Sequence, residues 1–299
     1  EIEMPLAQDE NTRQQLFDAG KIDLLSNVRS EYVTSLQSKI DAGEVQLTSA
    51  PQASMSYICF NNQDPEGVFS NAKIRMAFAI AFDREAYVNN VAKKGKAAGG
   101  LIPYRTLYAE PMTDLLAEDA KTLLNEGLEE IGRAGETLEI TFLQSNSNSD
   151  TKVIAEYYQN QWQTKLGVKV NIETASDNSA FNNQVSKGLY QVCQTGWGAD
   201  YNDPMTFFQC YTTGDGNNAA FYSNSTYDEL VNANKTESDM TKRADNFAEA
   251  EKILTVEDVG ISPITFGYQN VVMSKNLKGV YINSAGGPAI ELRDAYLEG

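Results

Sequence analysis

The run Thr195-Gly196-Trp197-Gly198-Ala199-Asp200-Tyr201-Asn202-Asp203-Pro204 holds the side chains best suited to chemistry in this sequence. It places a large aromatic (Trp197), two glycines (Gly196, Gly198) and a carboxylate (Asp200) close together. An aromatic face beside a lone carboxylate can hold an ammonium group next to an apolar side chain. The same residues also suit a Gly-rich turn in which Asp200 caps the helix that follows. The stretch alone leaves both readings open.

Other chemistries are narrowed quickly. The chain has no histidine. That removes Ser-His-Asp and Cys-His catalysis, the HExxH zincins and any His-ligated metal. Cys59, Cys193 and Cys210 lack CxxC spacing and cannot form a four-Cys zinc site. They allow one disulfide, for example Cys193–Cys210, or buried free thiols. An Asp200/Asp203 dyad would suit a hydrolase, but among 41 acidic residues some such pair is expected by chance. Asp200, Asn202 and Asp203 also resemble the start of a calcium loop. Met205 and Tyr211 stand where that loop needs Gly and Glu, so the match fails. The sequons at Asn224 and Asn234 carry no weight in an Asn-rich chain. Trp162 falls on the apolar face of a helix and is expected in the core.

The elements that must position these residues read as α/β. Thr137–Leu143, Val168–Thr174 and Tyr190–Gln194 alternate as strands. Helices over Thr151–Leu166 and Phe181–Lys187 lie between them, stopped by Gly167 and Gly188. Strand, helix, strand, helix, strand with short connections predicts parallel pairing with right-handed crossovers. Upstream, Asn11–Ala19 and Ser30–Ala42 read as helices, and Val45–Thr48 and Ser56–Phe60 as strands. Ser70 and Asp83 read as N-caps of helices running to Phe82 and Lys93, and Lys94–Tyr104 as a loop. Downstream, a helix starts near Pro204, two more cover Tyr227–Asn234 and Thr241–Thr255, and Ile261–Phe266 and Asn270–Met273 read as strands. The tail from Asn276 reads as mostly irregular.

Composition sets the frame. A chain of 299 residues, 41% apolar, can bury a sizeable core. A formal net charge of −17 argues against nucleic acid as a partner, since phosphate binding needs a basic surface. No apolar stretch is long enough to span a bilayer.

Taken in order, several segments resemble the oligopeptide- and dipeptide-binding solute receptors of ABC importers, the family 5 extracellular solute-binding proteins. They are Glu10–Leu24 (ENTRQQLFDAGKIDL), Phe60-Asn61-Asn62, Ile74–Glu85 (IRMAFAIAFDRE), Ile154–Ile172, Trp197–Phe207, Tyr227–Leu230, Arg243–Asp258, and Pro263 with Lys275–Gly279. The match runs nearly end to end, and its ordered set is more specific than any single piece. It implies an α/β, periplasmic-binding-protein-like class II fold, with one complete lobe and part of the opposing lobe. On this resemblance residues 1–55 and 270–299 belong to the first lobe and 56–269 form the second. Family members are roughly twice this long, so the N-terminal half of the fold is expected to be absent here.

The resemblance also implies a non-enzymatic role: peptide binding between two lobes for uptake by ABC permease subunits. The expected setting is extracytoplasmic, as a periplasmic or lipid-anchored monomer, with no cofactor. The family's carboxylate for the peptide α-ammonium falls on Asp200. Trp197, Gly198 and Ala199 fall on neighbouring cleft positions, with Tyr201 and Asn202 beside them, and Glu10 and Asn27 on the opposite lobe. Where some members anchor the peptide carboxylate with a basic residue and a His, this chain has Gln194 and Thr151. Cys59 replaces an acidic residue of some members, and Gly267 a Tyr. These departures predict a ligand held mainly through its N-terminal end and backbone. An oligosaccharide ligand and a carboxylate-dyad hydrolase stand as alternatives.

Overall fold

Two long antiparallel strands organise the chain. The computed structural model describes residues 2–7, 9–103, 112–284 and 290–299. Its main sheet holds β1 (Leu24–Leu25), β2 (Val45–Phe60), β3 (Lys96–Ala97), β4 (Glu139–Gln144), β5 (Lys169–Thr174), β6 (Val192–Gly198) and β7 (Ile261–Ser274). The order is β1-β7-β2-β6-β4-β5, with β3 also on β7. β4 pairs in parallel with β5 and β6, as the alternating pattern predicts. β2 runs antiparallel to both β6 and β7, so the sheet is mixed.

β2 and β7 are each continuous where the sequence suggests two short strands. The hydrophobic alternation lapses in the middle because those residues face a cavity rather than a core. The pairing also slips there: the β2–β7 register shifts between Pro51 and Met55, and again between Ser56 and Tyr57. Pro51 lacks a backbone donor, which suits a break in the ladder. The expected boundaries at 55/56 and 269/270 thus fall inside unbroken strands.

The sheet separates two apolar layers. Ile58, Phe60, Ile140, Phe142 and Val192 pack with the helices Ala72–Ile80 and Ser149–Leu166. Tyr57, Cys59, Leu143 and Cys193 face the other way, toward Phe208, Phe247 and Leu254. Trp162 is fully buried in the first layer, as its helical position predicts. A separate small cluster of Phe17, Leu25, Val28, Tyr32, Leu36, Val45 and Val272 gathers around the far ends of β2 and β7.

Helix ends follow local chemistry, with small shifts from expectation. Asn71, not Ser70, caps Ala72–Ile80, accepting from the Ile74 N–H at 3.1 Å. Asp83 caps Arg84–Tyr87 as expected, at 2.9 Å from the Ala86 N–H. Asn148 caps Ser149–Leu166, and Gly167 ends it in the left-handed region at φ 72°. The loop expected over Lys94–Tyr104 contains β3; Tyr104 lies outside the described residues. In the tail, Leu277–Lys278 pairs with Tyr296–Leu297 and Tyr281–Ile282 with Ile290–Glu291. All three cysteines are buried and free, so the Cys193–Cys210 disulfide is not formed.

Candidate functional site

The sequence places Trp197 and Gly198 in a loop, but they are the last two paired residues of the β6 strand. Trp197 opposes Met55 and Gly198 opposes Ser54. Gly196 is required by close packing: a Cβ there would sit 2.8 Å from the Met55 carbonyl oxygen. Successive side chains of a strand point to opposite faces. Trp197 therefore shares a face with Met55 and packs, half-buried, against the Tyr57/Phe208 layer. Its indole Nε1 is buried without a hydrogen-bond partner among the described residues. Gln194 points to the other face, into a cavity.

That cavity, of about 450 Å³, lies where the small cluster meets the larger body. Glu10, Asn27 and Arg29 form one wall, and Tyr87, Val153, Ile154 and Gln194 the other. The middles of β2 (Gln52, Ser54, Ser56) and β7 (Thr265, Gly267, Tyr268) form the floor. Gly267 matters here, because a Cβ at that position would come within 2.0 Å of the Ser54 hydroxyl and 3.3 Å of its Cβ. The size falls in the usual range for small-ligand sites.

Two expected site residues, Glu10 and Asn27, thus line the cavity. Asn27 adopts φ 55°, a left-handed conformation that Asn tolerates better than most side chains. Glu10 is a buttress: its carboxylate accepts the Arg29 backbone N–H at 3.2 Å and pairs with Arg29 Nε at 3.0 Å. Gly198, Ala199, Asp200, Tyr201 and Asn202 do not line it. They follow the end of β6, where Ala199 N–H donates to the Ala53 carbonyl at 2.7 Å. Asp200 is exposed, and among the described residues its carboxylate has no ion pair. It lies two residues beyond Gly198, whose strand partner Ser54 lines the cavity, which places it on the same end of the sheet.

Asp200 does not cap the following helix Met205–Phe208, whose N-cap is Pro204; Asp203 is the acid that bonds to its first turn. Its Oδ1 accepts the Met205 N–H at 2.8 Å and holds Arg243 at 2.7 Å. Partial burial opposes ionisation of Asp203, but the Arg243 and Met205 bonds outweigh it, and the carboxyl lies below its usual range. Gln194 accepts from the Tyr87 hydroxyl at 3.0 Å; burial, partly offset by that bond, pushes the phenol up to about 12, so it stays a donor. Thr151 spends its hydroxyl on the Asn146 carbonyl at 2.7 Å and lies outside the cavity lining.

Four charged lining residues escape the sequence reading: Arg29, Lys93, Lys94 and Asp150. Asp150 closes on Arg29 from 121 positions away, a contact no local pattern announces. Among the described residues no cluster of His, Cys, Asp and Glu could hold a metal, and no helix is long and apolar enough to cross a membrane.

A family model described as "Bacterial extracellular solute-binding proteins, family 5 Middle" matches residues 1–219. The chain belongs to family 5 of the bacterial extracellular solute-binding proteins. Among curated family 5 relatives, it is 29% identical to the oligopeptide-binding protein OppA of Bacillus subtilis, over 99% of this chain and 55% of that protein. Among solved structures, the substrate-binding domain of an oligopeptide ABC transporter from Bacillus anthracis superposes with a TM-score of 0.83 at 25% identity, covering 97% of this chain and 57% of the other. Listeria monocytogenes OppA bound to peptide gives 0.80 at 26% identity, covering 98% and 57%. The chain spans about half the length of the curated relatives it matches. The expected family and the periplasmic-binding-protein-like α/β fold both hold.

Proposed function

We propose that this protein is a substrate-binding component of an ABC transporter, and that it holds peptides in the cavity between a small first lobe and a large second lobe. The observation that carries this reading is the cavity's composition. Its walls come from both bodies, and its floor is the irregular middle of the two strands that join them. Closing one lobe on the other about β2 and β7 would enclose a ligand there. The half-buried polar floor, Gln52, Ser54, Ser56 and Thr265, suits an extended peptide backbone, which asks for hydrogen bonds without regard to sequence. Relatives named as peptide-binding proteins and solved with peptide support the same ligand class.

On this reading residues 1–55 and 270–299 belong to the first lobe and 56–269 to the second. The partners are a peptide and ABC permease subunits. The protein works as a monomer outside the cytoplasm, as a periplasmic or lipid-anchored receptor, and has no enzymatic role. Asp200 takes the peptide α-ammonium at the sheet end beside the cavity, with Trp197, Gly198, Ala199, Tyr201 and Asn202 shaping that end. Its exposure and, among the described residues, its lack of an ion pair leave the carboxylate available for this role.

Calorimetry with matched peptides carrying a free or an acetylated amino terminus tests the assignment. Asp200→Asn is expected to weaken the free-amine peptide by about tenfold or more and to leave the acetylated one unchanged. Equal affinities of the two peptides for the unmodified protein would remove Asp200 from the site.

A further inference from the structure

The cavity departs from the charge of the rest of the chain. The protein has 24 Lys and Arg against 41 Asp and Glu. The cavity lining instead holds three cations, Arg29, Lys93 and Lys94, against two carboxylates, Glu10 and Asp150. Lys93 is taken by Glu31 at 2.7 Å. Lys94 is exposed. Arg29 is the cation that the fold holds in place.

Glu10 fixes Arg29 twice. It accepts the backbone N–H at 3.2 Å and pairs with side-chain Nε at 3.0 Å, and its own side chain is only 15% exposed. The ion pair at Nε leaves the terminal edge of the guanidinium, its two NH2 groups, to donate to a second carboxylate. A carboxylate recognises that edge through two parallel hydrogen bonds. In the structure Asp150 engages one of those nitrogens from across the cavity. Asp150 itself is 55% exposed and sits in the first turn of the helix Ser149–Leu166, where the helix dipole and water stabilise its charge without Arg29.

We infer that the terminal edge of the Arg29 guanidinium is a carboxylate-binding site for the ligand, and that Asp150 is a built-in competitor for it. The inference rests on the peptide reading given above and adds a second charged contact to the ammonium one. When ligand enters, its carboxylate takes the Arg29 edge and Asp150 swings to solvent, while Glu10 keeps the guanidinium in place. The exchange is one carboxylate for another, so the net charge around Arg29 is unchanged. The ligand's carboxylate comes from the peptide C-terminus or from an acidic side chain.

The test uses Ala/Leu peptides two to six residues long, each as the free acid, as the C-terminal amide, and as the amide with one Glu introduced. Affinities are measured by calorimetry on the unmodified protein, Arg29→Gln and Asp150→Asn. Amidation is expected to weaken binding to the unmodified protein by about tenfold. Arg29→Gln weakens the free acid by a similar factor, leaves the amide unchanged and so abolishes the difference. The unchanged amide affinity shows that the variant's cleft is intact. Asp150→Asn strengthens the free acid severalfold and leaves the amide unchanged, which a merely structural latch would not do. If the Glu-bearing amide regains the affinity of the free acid, the site takes a side-chain carboxylate as well as a terminal one. An amidation effect that persists in Arg29→Gln, or weaker free-acid binding in Asp150→Asn, overturns the Arg29 assignment. Equal binding of all forms also overturns it but leaves the peptide reading standing. No binding of any form overturns the peptide reading beneath it.

Discussion

Trp162→Ala is expected to lower stability by about 3–5 kcal/mol, read from the midpoint of a denaturant transition. The indole is fully buried, stacked on Tyr158 at 5.2 Å and edge-on to Phe78 at 5.1 Å. Its Nε1 donates to the Phe78 carbonyl at 3.0 Å, which ties the helix Ser149–Leu166 to the helix Ala72–Ile80 beneath it. Truncation opens a cavity and leaves a buried acceptor unpaired. Trp162→Phe separates the two effects: it keeps most of the packing and loses the hydrogen bond, at about 1–3 kcal/mol. A loss below about 1 kcal/mol in Trp162→Ala would show that this layer does not hold the large body together.

Arg84→Ala is expected to cost about 3 kcal/mol, though Arg84 has no acidic partner among the described residues. Its Nε donates to the Pro263 carbonyl at 2.9 Å, and one terminal nitrogen donates to the Ala79 carbonyl at 2.9 Å and the Ser262 hydroxyl at 2.7 Å. The guanidinium also lies over the Phe82 ring at 4.5 Å. Burial pulls its pKa down to about 10, because the charged form is poorly solvated there. The stabilisation comes from the donors and the packing, against that cost. Arg84→Met keeps the packing and removes the buried charge, so it is expected to be milder than Arg84→Ala. The reverse ranking would mean that the charge, not the shape, is what the site requires.

The contrast between these residues and the cavity shows what a sequence carries. Trp162 is legible because helical periodicity points it inward. Gly167 is legible because a helix must stop somewhere, and a glycine at φ 72° stops it cheaply. The β4-β5-β6 parallel set is legible because alternation and short connections leave few topologies. The continuity of β2 and β7 is hidden, since their middles line a cavity and carry Gln, Ser, Thr and Gly instead of alternating apolar residues. The Glu10 ion pair is hidden for a different reason. The partner is Arg29, and only the folded chain brings the two together. Asp150 is further out of reach, because its contact with Arg29 depends on how the two bodies meet. Trp197 stands among glycines and so reads as loop, but the ladder runs through it and turns its ring toward the Tyr57/Phe208 layer.

Hydrogen exchange followed by mass spectrometry, with and without a mixture of peptides two to six residues long, tests the central claim most directly. Added peptide is expected to slow exchange at Gln52–Ser56 and at Phe266–Tyr268, the two strand middles that floor the cavity. Unchanged exchange in both segments, or protection confined to surfaces away from them, would contradict a peptide held between the lobes.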